Sequence, residues 1–153
     1  MIRWQQDNTK GDNNMIKEFR GKNYFLSNFY VAPVVWNGIM YQNNEAAFQS
    51  AKTTNEKIRA SFALLNPSQA KAKGRRVQLR HDWEKVKYDI MYEICFAKFS
   101  QNEDLKEKLL ATGEQHLEEG NTWGDKIWGT VNGKGQNNLG KILMKVREEL
   151  RKE

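Results

Sequence analysis

The segment Glu45-Ala-Ala-Phe-Gln49-Ser-Ala-Lys52 carries three polar groups at intervals of four and three. On a helix these intervals place Glu45, Gln49 and Lys52 along one face. Ala46, Ala47, Phe48 and Ala51 cover much of the remaining surface, and the small residues suit close packing. A carboxylate, an amide and an ammonium beside a buried face can line a pocket for acid–base chemistry. The competing reading is an ordinary solvated face, with Glu45 placed to favour the helix N-terminus.

A second constellation is Trp123-Gly-Asp125-Lys-Ile-Trp128-Gly129. A carboxylate between two tryptophans suits a site that stacks a flat base and stabilises developing positive charge. The alternative is that the tryptophans fill the core and Asp125 closes a turn. The glycine- and asparagine-rich run from Gly129 through Asn138 to Gly140 leads directly into a helical pattern. Backbone N–H groups at a helix start bind phosphate, although this run matches no nucleotide fingerprint and a plain turn competes. Lys71 to Arg80 is the densest basic stretch, and the forks of Arg75 and Arg80 suit phosphate. Lys98 lies among apolar neighbours, where desolvation would depress its pKa unless it snorkels to water.

These residues need elements to position them. Val34-Val-Trp36 and Ile39-Met-Tyr41 flank Asn37-Gly38, a strong hairpin signal because both turn residues take positive φ. Tyr24-Phe-Leu26 begins an aromatic stretch ahead of the hairpin. Asn44 is placed to cap a helix from Glu45 to about Lys52, and a second helix is expected over 56–65. Asn66-Pro67 stops it, and Ser68 is placed to cap the next. Asp82 is placed to cap the longest helix, from Trp83 to about Phe99, whose stripe is Trp83, Val86, Ile90, Ile94 and Ala97. Asn102 is placed to cap 103–111, and residues 113–137 read as loops. The last helix carries Leu139, Ile142, Leu143, Val146 and Leu150 on one stripe. The expected fold is a single α+β domain, mostly helical, with a small N-terminal hairpin or sheet. Residues 1–16 read as a flexible polar leader, in which Met15 is a candidate internal start, and residues 17–153 as the folded domain.

Composition narrows the function classes. With 153 residues, 39% hydrophobic and 29% charged, the chain has the composition of a folded globule. One cysteine, Cys95, and two histidines leave no internal disulfide and nearly exclude a structural zinc site. No metal or cofactor is expected. A formal net charge of +6 favours an anionic partner. The sequence has neither a membrane-length apolar run nor a signal peptide, so a cytoplasmic location is expected.

The motifs, in order, resemble the YbiA-like N-glycosidases, also called the NADAR family. They are Phe25-Leu-Ser-Asn28-Phe29, the Glu45 to Lys52 pattern, Gly74-Arg75, Arg80-x-Asp82-Trp83, and Lys98-Phe-x-Gln101-Asn102. Leu110-x-Thr112-Gly113, Asp125-x-x-Trp128-Gly129 and Asn138-Leu-Gly140-x-x-Leu-Met144-x-Val-Arg147 complete the set. The resemblance spans roughly Lys17 to Leu150. It implies hydrolysis of a ribosyl C1–N bond in phosphorylated N-ribosides. The implied substrates are ADP-ribosylated guanine and ribosylamino pyrimidine phosphates of riboflavin synthesis, and ADP-ribosylated nucleic acid is a further implied partner.

By motif, the implied catalytic positions are Glu45, Trp83, Asp125 and Trp128. Lys52 joins them as a candidate Schiff-base nucleophile, from its place on the face of Glu45. Asn28, Phe29, Gln49, Arg75, Arg80, Lys98, Asn138 and Gly140 are expected at substrate. Two other classes compete: a module that binds ADP-ribose or NAD without cleaving it, and a basic nucleic-acid binder with a steep salt dependence.

Overall fold

A computed structural model describes residues 15–153. Residues 1–14, most of the expected leader, lie outside the described residues. In chain order the elements are β1 (Met15–Ile16), a 3-10 turn (Gly21–Leu26), β2 (Val31–Trp36), β3 (Ile39–Asn43), α1 (Asn44–Ser50), α2 (Glu56–Ala60), α3 (Pro67–Gly74), α4 (Trp83–Gln101), α5 (Glu103–Ala111), β4 (His116–Leu117) and α6 (Asn138–Arg151). The architecture is α+β and mostly helical, as expected. The chain forms two compact units, residues 27–107 and residues 15–26 with 108–153.

Unit 27–107 is built on the expected hairpin. β2 and β3 run antiparallel with Val34 opposite Tyr41 and Trp36 opposite Ile39. Asn37 and Gly38 take φ of 50° and 81°, the left-handed pair that a two-residue turn requires. Alternation along β2 buries Ala32, Val34 and Trp36 and exposes Val31 and Val35. The buried face packs on α1 and α4. The outer edge of β2 is occupied by side chains from the end of α4. Gln101 accepts from the Val35 N–H at 2.8 Å and donates to its carbonyl at 3.0 Å. Asn102 donates to the Pro33 carbonyl at 2.9 Å.

Several local expectations are corrected here. The aromatic stretch from Tyr24 to Leu26 falls in the 3-10 turn, which buries Phe25 and Leu26 in succession. Asn43, not Asn44, caps α1; it keeps the extended backbone of β3 while its side chain accepts from Ala46 N at 2.7 Å. Asn66, not Ser68, caps α3, in a reciprocal box with Gln69 and with Pro67 at the first helical position. Asp82 makes no cap hydrogen bond to α4, because both carboxylate oxygens are taken by Arg80. Asn102 precedes α5, but its side-chain amide donates to the Pro33 and Lys98 carbonyls instead of capping. The second helix stops at Ala60, five residues short of its expected end.

In the other unit, β1 pairs with β4 in parallel, Met15 opposite His116 and Ile16 opposite Leu117. This short sheet lies inside segments read as leader and loop. Helix α6 packs on β4 and buries Leu139, Leu143, Val146 and Leu150. No helix among the described residues is long and apolar enough to cross a membrane.

Candidate functional site

Helix α1 is buried along its whole length, Asn44 to Ser50. Glu45, in its first turn, is 9% exposed and Gln49 is 7% exposed. Gln49 Nε2 donates to Glu45 Oε2 at 2.7 Å. The Glu45 backbone N–H donates to the Asn28 carbonyl at 3.0 Å, which ties the start of α1 to the loop before β2. Asn44 Nδ2 donates to Asn28 Oδ1 at 3.2 Å, and Asn28 Nδ2 approaches Met91 Sδ at 3.4 Å. Two buried acceptors among the described residues have no hydrogen-bond donor, Asn44 Oδ1 and Gln49 Oε1.

Lys52 follows the helix, half-buried. Burial lowers its pKa, the Glu45 charge partly restores it, and the Arg75 cation lowers it further. The end of α1 is fastened by Arg80. Its backbone N–H donates to the Lys52 carbonyl at 2.8 Å, while its guanidinium forks onto Asp82 at 2.6 and 3.1 Å. Trp83 packs on Phe48 of α1, ring centroids 5.0 Å apart at 51°. Beneath the loop preceding β2, Lys98 is 1% exposed. Its Nζ donates to the Ser27 carbonyl at 3.0 Å and faces the Tyr30 and Phe99 rings at 5.4 and 4.9 Å. Burial brings its pKa down to about 7, against an upward pull from Cys95.

The other unit holds the second carboxylate. Asp125 Oδ1 accepts from Ile127 N at 3.0 Å and Trp128 N at 2.9 Å, an Asx turn. Asn121 grips the same residue from behind, accepting from Asp125 N at 3.0 Å and donating to its carbonyl at 2.8 Å. Asp125 and Trp128 are half-buried, whereas Trp123 is 57% exposed. The main chain just after Asp125 is hydrogen-bonded to the start of α6. Asn138 N donates to Ile127 O at 3.2 Å, Leu139 N to Trp128 O at 2.9 Å, and Asn137 N to Gly129 O at 3.2 Å.

The model of the NADAR domain matches residues 15–151. The chain belongs to the NADAR domain family. It is 37% identical over 129 residues to the N-glycosidase YbiA of Escherichia coli, covering 82% of this chain and 80% of that protein. An N-glycosidase of Nostoc punctiforme is 42% identical over 114 residues, 70% and 72% of the two chains. A riboflavin biosynthesis protein of Vibrio vulnificus is 36% identical over 130 residues, 82% of this chain and 35% of that one. The NMR structure of E. coli YbiA superimposes with a TM-score of 0.78 at 35% identity, covering 89% of this chain and 83% of that one. This NADAR protein is therefore an N-glycosyl hydrolase.

Within the NADAR domain, unit 27–107 contains nine of the residues singled out from sequence: Asn28, Phe29, Glu45, Gln49, Lys52, Arg75, Arg80, Trp83 and Lys98. Glu45, Gln49 and Lys52 do form one electrostatically coupled group. Arg75 is exposed, and Phe29 lies under Lys71 Nζ, 5.8 Å from the ring centroid. Asp125, Trp128, Asn138 and Gly140 belong to the other unit. There the N–H groups of Asn137, Asn138 and Leu139, among the donors expected to face an anion, are taken by the carbonyls of 127–129. Gly140 allows close packing: a Cβ at this position would overlap the Leu117 carbonyl.

Asparagine roles were the main omission. Asn121 and Asn137 are buried and bind loop backbone on both sides, Asn137 through Leu117 O at 2.9 Å and Glu119 N at 3.0 Å. Asparagines clustered in a loop between motifs were the available signal. Among the described residues there is no group of three or more His, Cys, Asp or Glu arranged to hold a metal.

Proposed function

We propose that this NADAR protein cleaves the ribosyl C1–N bond of phosphorylated N-ribosides, with ADP-ribosylated guanine or ribosylamino pyrimidine phosphates as substrate, and acts in the cytoplasm. The observation that carries the reading is Glu45. It is a nearly buried carboxylate on a buried helix, held at one oxygen by Gln49 and coupled to the charge of Lys52. The names of its relatives, N-glycosidase and riboflavin biosynthesis protein, supply the bond type and one substrate class.

In the proposed reaction the C1–N electron pair leaves with the base nitrogen as positive charge builds at C1 and the ring oxygen. Glu45 takes a proton from the water that adds to C1, and a proton from solvent reaches the departing nitrogen, so that one water is divided between sugar and base. Asp125 is assigned to the developing charge through Oδ2, since Oδ1 is engaged by the turn. Arg75, exposed and close enough to Lys52 to depress its pKa, is assigned to phosphate. Lys52 offers a covalent variant, because its lowered pKa raises the fraction of free amine able to add to C1 of the ring-opened N-riboside and expel the base amine, leaving a lysine imine that water then hydrolyses.

A substrate panel tests this reading: ADP-ribosyl guanosine, a ribosylamino pyrimidine phosphate, NAD and free ADP-ribose, resolved by chromatography. Release of ADP-ribose and guanosine from the first, or of the aminopyrimidine and ribose phosphate from the second, is expected. Intact ligand in every sample would overturn it. Borohydride added during turnover, followed by mass mapping, tests the imine route; no adduct on Lys52 removes it.

A further inference from the structure

We infer that Gly74 is a positioning residue for catalysis, acting by leaving the space in which Gln49 must sit to donate to Glu45. This rests on the assignment of Glu45 above. Gly74 is the last residue of α3, is buried, and lies where α3 packs on α1. A Cβ at position 74 would overlap Gln49 Oε1 and come within 2.7 Å of Gln49 Cδ and 3.1 Å of Gln49 Cβ. The whole amide, not only its tip, lies across the glycine. The conformation of Gly74 is not left-handed, so backbone strain does not explain the glycine. Space for Gln49 does.

The chemistry of the slot gives this contact a direction. Gln49 Oε1 is buried over Gly74 with no donor, and Nε2 is turned to Glu45 at 2.7 Å. Turning the amide over would set its oxygen against a carboxylate oxygen. It would also leave a buried N–H over Gly74 without an acceptor, a rarer and more costly state than an under-satisfied carbonyl. The slot therefore selects the orientation in which Gln49 donates. A donor to a carboxylate favours the ionised form, which is the form that accepts a proton from water. Glycine at 74 thus sets the protonation behaviour of Glu45 without touching it.

The test uses Gly74→Ala, Gln49→Met, Gln49→Ala and the pair Gly74→Ala/Gln49→Ala in the full-length enzyme. The readouts are the pH profile of kcat/KM and a 13C NMR titration of the Glu45 carboxyl. Loss of one charge-assisted hydrogen bond predicts a fall in kcat/KM of about tenfold. The acid limb and the NMR midpoint should both rise by about one pH unit in Gly74→Ala and Gln49→Met. The pair should match Gln49→Ala alone, because once the amide is gone the methyl added at position 74 meets only the Cβ at position 49, at 3.1 Å, which a shift of a few tenths of an ångström relieves. It also remains informative if Gly74→Ala alone fails to fold. Losses that multiply in the pair, or an unshifted Glu45 titration in Gly74→Ala, would overturn the inference. The NMR titration needs no turnover. An active Glu45→Gln enzyme would defeat the assignment of Glu45 while leaving the Gly74 coupling readable.

Discussion

The two carboxylates proposed for catalysis are held by opposite strategies. Glu45 lies in the first turn of a helix with no exposed residue, and its bonded partner is a side chain one turn along. Asp125 lies in a loop and is fixed by its own main chain, with Oδ1 closing an Asx turn and Asn121 holding the backbone behind it. A helix-borne carboxylate depends on what packs around it. A turn-borne carboxylate serves as scaffold and reagent together. Substitution at Glu45 should therefore separate activity from stability, and loss of the Oδ1 acceptor at Asp125 should mix them.

The largest effect expected is from Glu45→Gln. Removing an acid–base group should lower kcat by about 10²–10⁴, while thermal unfolding changes little because the amide remains isosteric. Near-normal turnover would break the comparison at its stronger end. Asp125→Asn keeps an Oδ1 acceptor for the turn and removes only the charge. A fall in kcat of about tenfold or more, with the unfolding temperature held, is expected. Asp125→Ala should add a stability loss of about 1–2 kcal/mol from the lost turn bonds, read by denaturant unfolding. Equal unfolding midpoints for the Ala and Asn variants would show that the turn does not rely on Oδ1.

Gly140→Ala sharpens the contrast on the scaffold side. The added Cβ meets the Leu117 carbonyl and the Asn137 side chain, so about 1–3 kcal/mol of stability should be lost through overpacking. Substrate KM measured below the melting range should stay unchanged. The last contrast is a pH trend at Lys98. Its pKa is about 7 in the folded protein, against an ordinary value of 10.5. The unfolded chain therefore binds more protons between these values, and stability rises with pH across that window. Lys98→Met removes this contribution. Urea midpoints should show wild type gaining on the variant from pH 7 upward, and a constant difference would contradict the assignment.

Much of the skeleton was legible because it rests on local rules. Asn37-Gly38 announces the hairpin, and the spacing of apolar residues announces α4 and α6. The buried face of α4 nevertheless includes Lys87 and Lys98, which an apolar stripe omits. Caps were misplaced by a residue or two because several candidate side chains stood side by side, and tertiary partners decided among them. Asp82 had Arg80 within reach, while Asn43 kept the extended backbone of its strand. At the site, helical spacing aligned Glu45, Gln49 and Lys52. It did not reveal that Gln49 needs a glycine from a different helix. Motif order singled out Asp125, but Asn121, which grips it, binds its backbone, and backbone partners leave no pattern in sequence.

The amides of Gln101 and Asn102 along β2 have a consequence for the protein in a crowded solution. Val31, Val35 and Met40 leave apolar side chains exposed on the hairpin. An open strand edge beside such a face would be a template for adding a strand from another copy. Gln101 instead fills both hydrogen-bonding positions of Val35, and Asn102 takes the Pro33 carbonyl. Proline has no N–H to offer. Two side chains at the end of one helix thus act as a substitute strand, and they close to self-association the edge that the hairpin would otherwise present.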